Sequence, residues 1–181
     1  NLTTANYNIA LGFSTMDIGV VTGQDNIAIG QNALDDLTGG TNNIVLGENT
    51  AQNLTTGSNN IALGNAAIGT GVVTGADNIA LGSATLEDVT SGTRNIAIGL
   101  NAADELTTGY DNIAIGSSPM SIGITTGNNN ITLGTDVAQN LTEGSGNIAL
   151  GLSAMNLGVV TGDDNIAVGH NALYDLTSGS N

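Results

Sequence analysis

The chain contains no cysteine, no tryptophan, no lysine and one proline, and its one arginine is Arg94. Without cysteine there is no disulfide, no thiolate metal site and no cysteine nucleophile. Without lysine, and with a single arginine against 16 acidic residues, a net charge of −15 excludes phosphate-neutralising contact with nucleic acid. The same deficit excludes attachment to anionic lipid surfaces, and no membrane insertion is expected. Aromatics number four, Tyr7, Phe13, Tyr110 and Tyr174, too few to build the interior of an ordinary globular domain. Yet 40% of the residues are hydrophobic, which is too many for a charged disordered tail. A composition of this kind points to repetition.

What the chain does have is glycine, 27 of its 181 residues, and a repeat that runs end to end. The string Asn-Ile-x-x-Gly occurs ten times, starting at Asn8, Asn26, Asn43, Asn60, Asn78, Asn95, Asn112, Asn130, Asn147 and Asn165. The starts are separated by 17 or 18 residues, and the longer units begin at Asn8, Asn60, Asn112 and Asn147. The expectation is one repeat domain over residues 1–181, with a partial coil at 1–7, ten coils at 8–181 and no separate capping domain. Each string closes on a glycine: Gly12, Gly30, Gly47, Gly64, Gly82, Gly99, Gly116, Gly134, Gly151 and Gly169. A second glycine recurs in step, from Gly23 and Gly40 through to Gly179. Periodic glycine marks corners with positive φ or with close approach of backbones.

A unit of 17 residues is too short for a pair of helices and suits one coil of a β-solenoid. In Asn26-Ile27-Ala28-Ile29-Gly30 large and small apolar residues alternate, the period of a strand. Placing the large residues inside predicts Ile27 and Ile29 in the core and Ala28 on the outer face. The recurrence of alanine on an outer face then predicts a second surface packed closely against it, such as another chain. A second, shorter strand is predicted around Leu34 and Leu37 and their equivalents, with Val20-Val21, Val72-Val73 and Val159-Val160 in the longer units. Stacked coils also align the repeat asparagines, whose amides can bond to one another along the rod.

Units such as NIAIGQNAL (26–34), NIALGNAA (60–67) and NIAVGHNALYDLTSGSN (165–181) resemble the repeats of trimeric fibrous surface proteins. These are the heads of trimeric autotransporter adhesins and the shaft segments of bacteriophage tail fibres. The resemblance spans all ten units. It implies a left-handed parallel β-roll with three chains around one axis, in an extracellular, cell-surface or virion fibre that supports adhesion. A cell-surface or carbohydrate receptor is the external partner it implies. A three-sided left-handed β-helix is the alternative fold, because Ile29-Gly30-x-x-Ala33 fits its hexapeptide pattern once per coil. A subunit of an end-to-end extracellular filament is the alternative function, since open solenoid ends expose sheet edges that template pairing.

Several residues invite chemistry. Carboxylates gather mid-coil at Asp35-Asp36, Glu87-Asp88, Asp104-Glu105 and Asp175, and before the repeat asparagine at Asp25, Asp77 and Asp163-Asp164. Stacked carboxylates could take calcium through oxygen ligands. Gln52-Asn53 and Gln139-Asn140 stand in for the acids in other coils, which favours a solvated acidic face. Glycosidase chemistry needs two carboxyls ~5 Å apart for retention, and neighbours on a strand point to opposite faces, so no catalytic residue is assigned and no enzyme is expected. One threonine recurs per coil, as at Thr22, Thr38 and Thr55, and a flat threonine file would suit ice binding; a turn role is the simpler reading. His170 varies to Gln31, Glu48 and Asn65 in other units, so it reads as a surface residue. Arg94 falls where it can pair with a neighbouring carboxylate, and Met16, Met120 and Met155 align with Leu34 as core residues. Asn-x-Ser/Thr sequons begin at Asn1, Asn53, Asn130 and Asn140.

Overall fold

In the computed structural model, residues 7–17, 21–69, 72–122, 125–158 and 160–179 are described. The chain winds as an all-β parallel solenoid, with no helix among those residues. Ten three-residue strands run from β1 (Ile9–Leu11), β2 (Ile27–Ile29) and β3 (Ile44–Leu46), through β4 (Ile61–Leu63), β5 (Ile79–Leu81), β6 (Ile96–Ile98) and β7 (Ile113–Ile115), to β8 (Ile131–Leu133), β9 (Ile148–Leu150) and β10 (Ile166–Val168). They form one sheet in chain order, each strand parallel to the next, with the repeat in register: Ile9 beside Ile27, Ala10 beside Ala28, Leu11 beside Ile29. Backbone bonds leave each coil in both axial directions. The Ile27 N–H donates to Asn43 O at 2.8 Å, and the Gly30 N–H to Leu11 O at 2.9 Å.

The side chains face opposite to the expectation. Ala28, Val45, Ala62, Ala80, Ala97, Ala114, Thr132, Ala149 and Ala167 point into the solenoid and are buried. The flanking isoleucines and leucines point outward and are half-buried or exposed, as in the outward–inward–outward pattern of β3. The reason is width. Period two fixes which residues share a face but not which face is inside. Here the interior behind the strand is narrow, so the small residue fits it, and the largest occupants it takes are Val45 and Thr132.

The opposite side of the coil supplies the larger core residues. Met16, Leu34, Ile68, Leu86, Met120 and Met155 form one column, and Val21, Leu37, Leu54, Val73, Val89, Leu106, Leu141 and Val160 form another, all buried. Among the described residues no second strand forms on that side. Only isolated bridges occur there, Leu54 with Val73, Leu106 with Thr125 and Leu141 with Val160. The cause is local. Asn32 and Leu34 have φ of 53° and 51°, in the left-handed region, and the same two positions repeat in the other coils. Leucine in that region costs about 1–2 kcal/mol, and burying its side chain returns about 2–3 kcal/mol. The segment still bonds axially, Asn32 N–H to Phe13 O at 2.9 Å and Leu34 N–H to Thr50 O at 3.2 Å. Val20 and Val159 lie outside the described residues, and Val72 is exposed rather than in the core.

Candidate functional surfaces

Three surfaces and one internal column follow from this winding. The internal column is the asparagines. From Asn26 to Asn165, each backbone N–H donates to the Oδ1 of the asparagine one coil earlier, at 2.9–3.0 Å. Each Nδ2 donates to that same Oδ1. Its other hydrogen goes to the carbonyl of the second glycine in its own coil, as from Asn95 to Gly109 O at 2.9 Å. The chain of bonds starts at Asn8, whose Nδ2 reaches Gly23 O at 2.9 Å. Eight of these asparagines are almost wholly inaccessible, and their amides are fully used. They form an axial seam and offer nothing to a ligand.

The two glycine columns answer different needs. Gly82 and its equivalents have φ between 121° and 145°, and a Cβ on Gly82 would overlap the Gly99 carbonyl oxygen. The second column, such as Gly92, has ordinary φ but the same crowding, with a Cβ meeting Gly109 O at 2.7 Å. A Cβ there would also press on the seam, 3.1 Å from Asn95 Nδ2.

The acidic residues split into two groups. Asp25, Asp77 and Asp164 precede a repeat asparagine and have φ of 58° to 60°. Asparagine, aspartate and glycine enter that region most readily, and they fill this position in eight of the ten units. Several reach one coil back: Asp77 Oδ1 accepts from Asn59 Nδ2 at 3.0 Å, and Asp163 Oδ1 from the Ser145 N–H at 2.7 Å. Arg94 occupies the same position and grips Asp111 of the next coil through Nε at 2.7 Å and Nη2 at 2.9 Å. It also lies 5.7 Å from the Tyr110 ring. The pair is exposed, and it lowers the Asp111 carboxyl below its ordinary value while raising Arg94.

The mid-coil acids run beside the leucine column. Asp35 is buried rather than solvated, at 4% exposure, which corrects the expectation of a wholly solvated acidic face. Asp35 and Asp36 also lie in a turn and not on a strand. Asp104 is pushed up to about 6, by burial first and then by the charges of Glu105 and Glu87. Its Oδ1 is buried without a hydrogen bond. Among the described residues no group of three or more histidines or carboxylates is placed to hold a metal ion.

Most of the recurring threonines are bonded along the axis. Thr22 Oγ1 donates to Thr38 O and Thr38 Oγ1 to Thr55 O, both at 3.0 Å. Thr161 continues the pattern to Thr177 O at 3.4 Å. Their hydroxyl hydrogens are therefore committed to the rod. His170 is exposed in the last coil, and the three methionines are buried among the leucines. Asn130, in a sequon, is part of the buried seam, and the Asn140 amide is bonded to Asn156 O at 2.8 Å.

The third surface is the outward face of the sheet, two files of aliphatic side chains flanking the buried small residues. The sequence alone does not reveal it, because alternation leaves open which file of residues faces outward. No pocket opens among the described residues, and no helix there is long and apolar enough to cross a membrane. Comparison with protein-family models, curated protein sequences and solved structures finds no match.

Proposed function

We propose that the chain is a structural element, a shaft or head segment of an extracellular or virion fibre. In the form the repeat resemblance implies, it is a left-handed β-roll assembled as a homotrimer. The observation that carries this reading is the use of polar groups. The asparagine amides, the second-glycine carbonyls and most of the recurring threonine hydroxyls all bond to adjacent coils or within the coil. Such a molecule spends its chemistry on axial continuity. Each coil depends on its neighbours for burial, and length is set by coil number. The acidic exterior keeps such rods apart in solution. Adhesion would arise from repetition of a weak surface or from what the rod holds at a distance.

Electron microscopy of the purified protein tests the proposal. The expected particle is a straight rod of constant width with one rung per coil. A compact particle, or turnover of a polysaccharide at a rate abolished by substituting one carboxylate, would refute it.

A further inference from the structure

We infer that the outward face of the ten-stranded sheet is where a second copy of this chain packs. The inference rests on the fibre reading and names the surface through which the fibre's chains meet. Ile44, Leu46, Leu63, Ile131 and Leu133 are each more than one-third exposed although they belong to interior coils. They stand in two unbroken files from β1 to β10, a length of about 43 Å at ~4.8 Å per step.

Three features select a copy of this chain as the occupant. The first is charge. The chain carries −15 overall, yet no strand residue is charged. This is a long strip where two such chains meet without bringing carboxylates together. The second is pitch. An identical sheet repeats its aliphatic pairs at the same rung spacing, so ten rungs engage ten rungs without drift. The third is area. A large aliphatic side chain buries about 100 Å² in full, and at their observed partial exposure the two files offer on the order of 700 Å² per copy, close to the ~800 Å² per partner of a stable interface. The 17- and 18-residue coils do not disturb the match, because the strands stay in register across both.

Sedimentation equilibrium tests this with the triple variant Ile79→Thr, Ile96→Thr, Ile113→Thr, which keeps β-branched residues on three central rungs. Ile122→Thr with Leu157→Thr, exposed residues off the sheet, is the control. The wild type is expected as a discrete multimer, the control likewise, and the triple variant as a monomer with at least a hundredfold weaker association and an unchanged β circular dichroism spectrum. A triple variant as tightly associated as the wild type, or a wild type that stays monomeric up to millimolar concentration, overturns the inference. Scattering on the same samples separates the two proposals: a triple variant that remains a rod-shaped multimer leaves the fibre reading standing while the docking face falls.

Discussion

Asn78 Oδ1 accepts two hydrogen bonds from Asn95, one from its backbone N–H at 3.0 Å and one from its Nδ2 at 3.1 Å. One oxygen therefore fixes both the position of the next coil's backbone and the rotamer of the next side chain. Repeated from Asn8 to Asn165, this relation makes each coil the template for the one after it.

Asn95→Ala removes the acceptor of both the Asn112 backbone N–H and its Nδ2, takes the side-chain donor from Gly109 O, and leaves Asn78 Oδ1 with the backbone N–H alone. Buried groups left unsatisfied cost about 1–3 kcal/mol each, so a loss of roughly 3 kcal/mol in unfolding free energy is expected. Asn165→Ala should cost less than half of that, because among the described residues no further asparagine of the seam donates to it. Urea denaturation of both variants measures the difference.

Gly82→Ala and Gly169→Ala separate conformational strain from crowding. Both glycines have φ well above zero, at 141° and 123°, but a Cβ on Gly169 meets nothing within 4 Å. Strain alone costs about 1–3 kcal/mol. Gly169→Ala should show that amount and remain folded. Gly82→Ala adds overlap with Gly99 and should be destabilised beyond it, read as a lower Tm.

The inward direction of the small strand residue has its own test. Ala97→Leu forces a large side chain into the narrow interior, where overpacking costs about 1–3 kcal/mol or more. Ile96→Ala, at the adjacent outward position, should cost under about 1 kcal/mol in a monomeric background. If Ile96 were inside and Ala97 outside, the order would reverse.

Asp104 gives a pH dependence of known sign. Its carboxyl is raised from 3.8 to about 6, so over that interval the folded chain holds a proton that the unfolded chain has released. Stability linked to this group is present below the lower value and is lost as pH rises through about 6. The Tm of the wild type should therefore fall between pH 4.5 and pH 7. In Asp104→Asn that part of the fall should disappear, leaving only the general effect of the remaining carboxylates.

The period was open to reading because it is a spacing of identical residues, and spacing survives folding unchanged. The ten Asn-Ile-x-x-Gly strings each became one strand, in register. The side of the sheet was not legible from alternation alone. One signal was available: the alanine position varies only to Val45 and Thr132, residues of similar small volume, while its neighbours range over isoleucine, leucine and valine. Tight volume limits belong to interiors. The missing second strand was hidden for another reason. Leu34, Ile68 and Met120 are poor residues for positive φ, and only the packing of neighbouring coils holds them there. By contrast, the asparagines and aspartates ahead of each repeat, such as Asp25 and Asn42, were a readable sign of the left-handed region.

The central claim, a rod whose length counts its coils, is tested most directly by deleting residues 26–77, three coils that join Asp25 to Asn78 in phase. Small-angle scattering of the shortened and full chains gives length and cross-section separately. The rod predicts a maximum dimension shorter by about 14 Å, from ~4.8 Å per coil, with the cross-section unchanged. A particle that shrinks in all directions, or that keeps its length and thins, would contradict it.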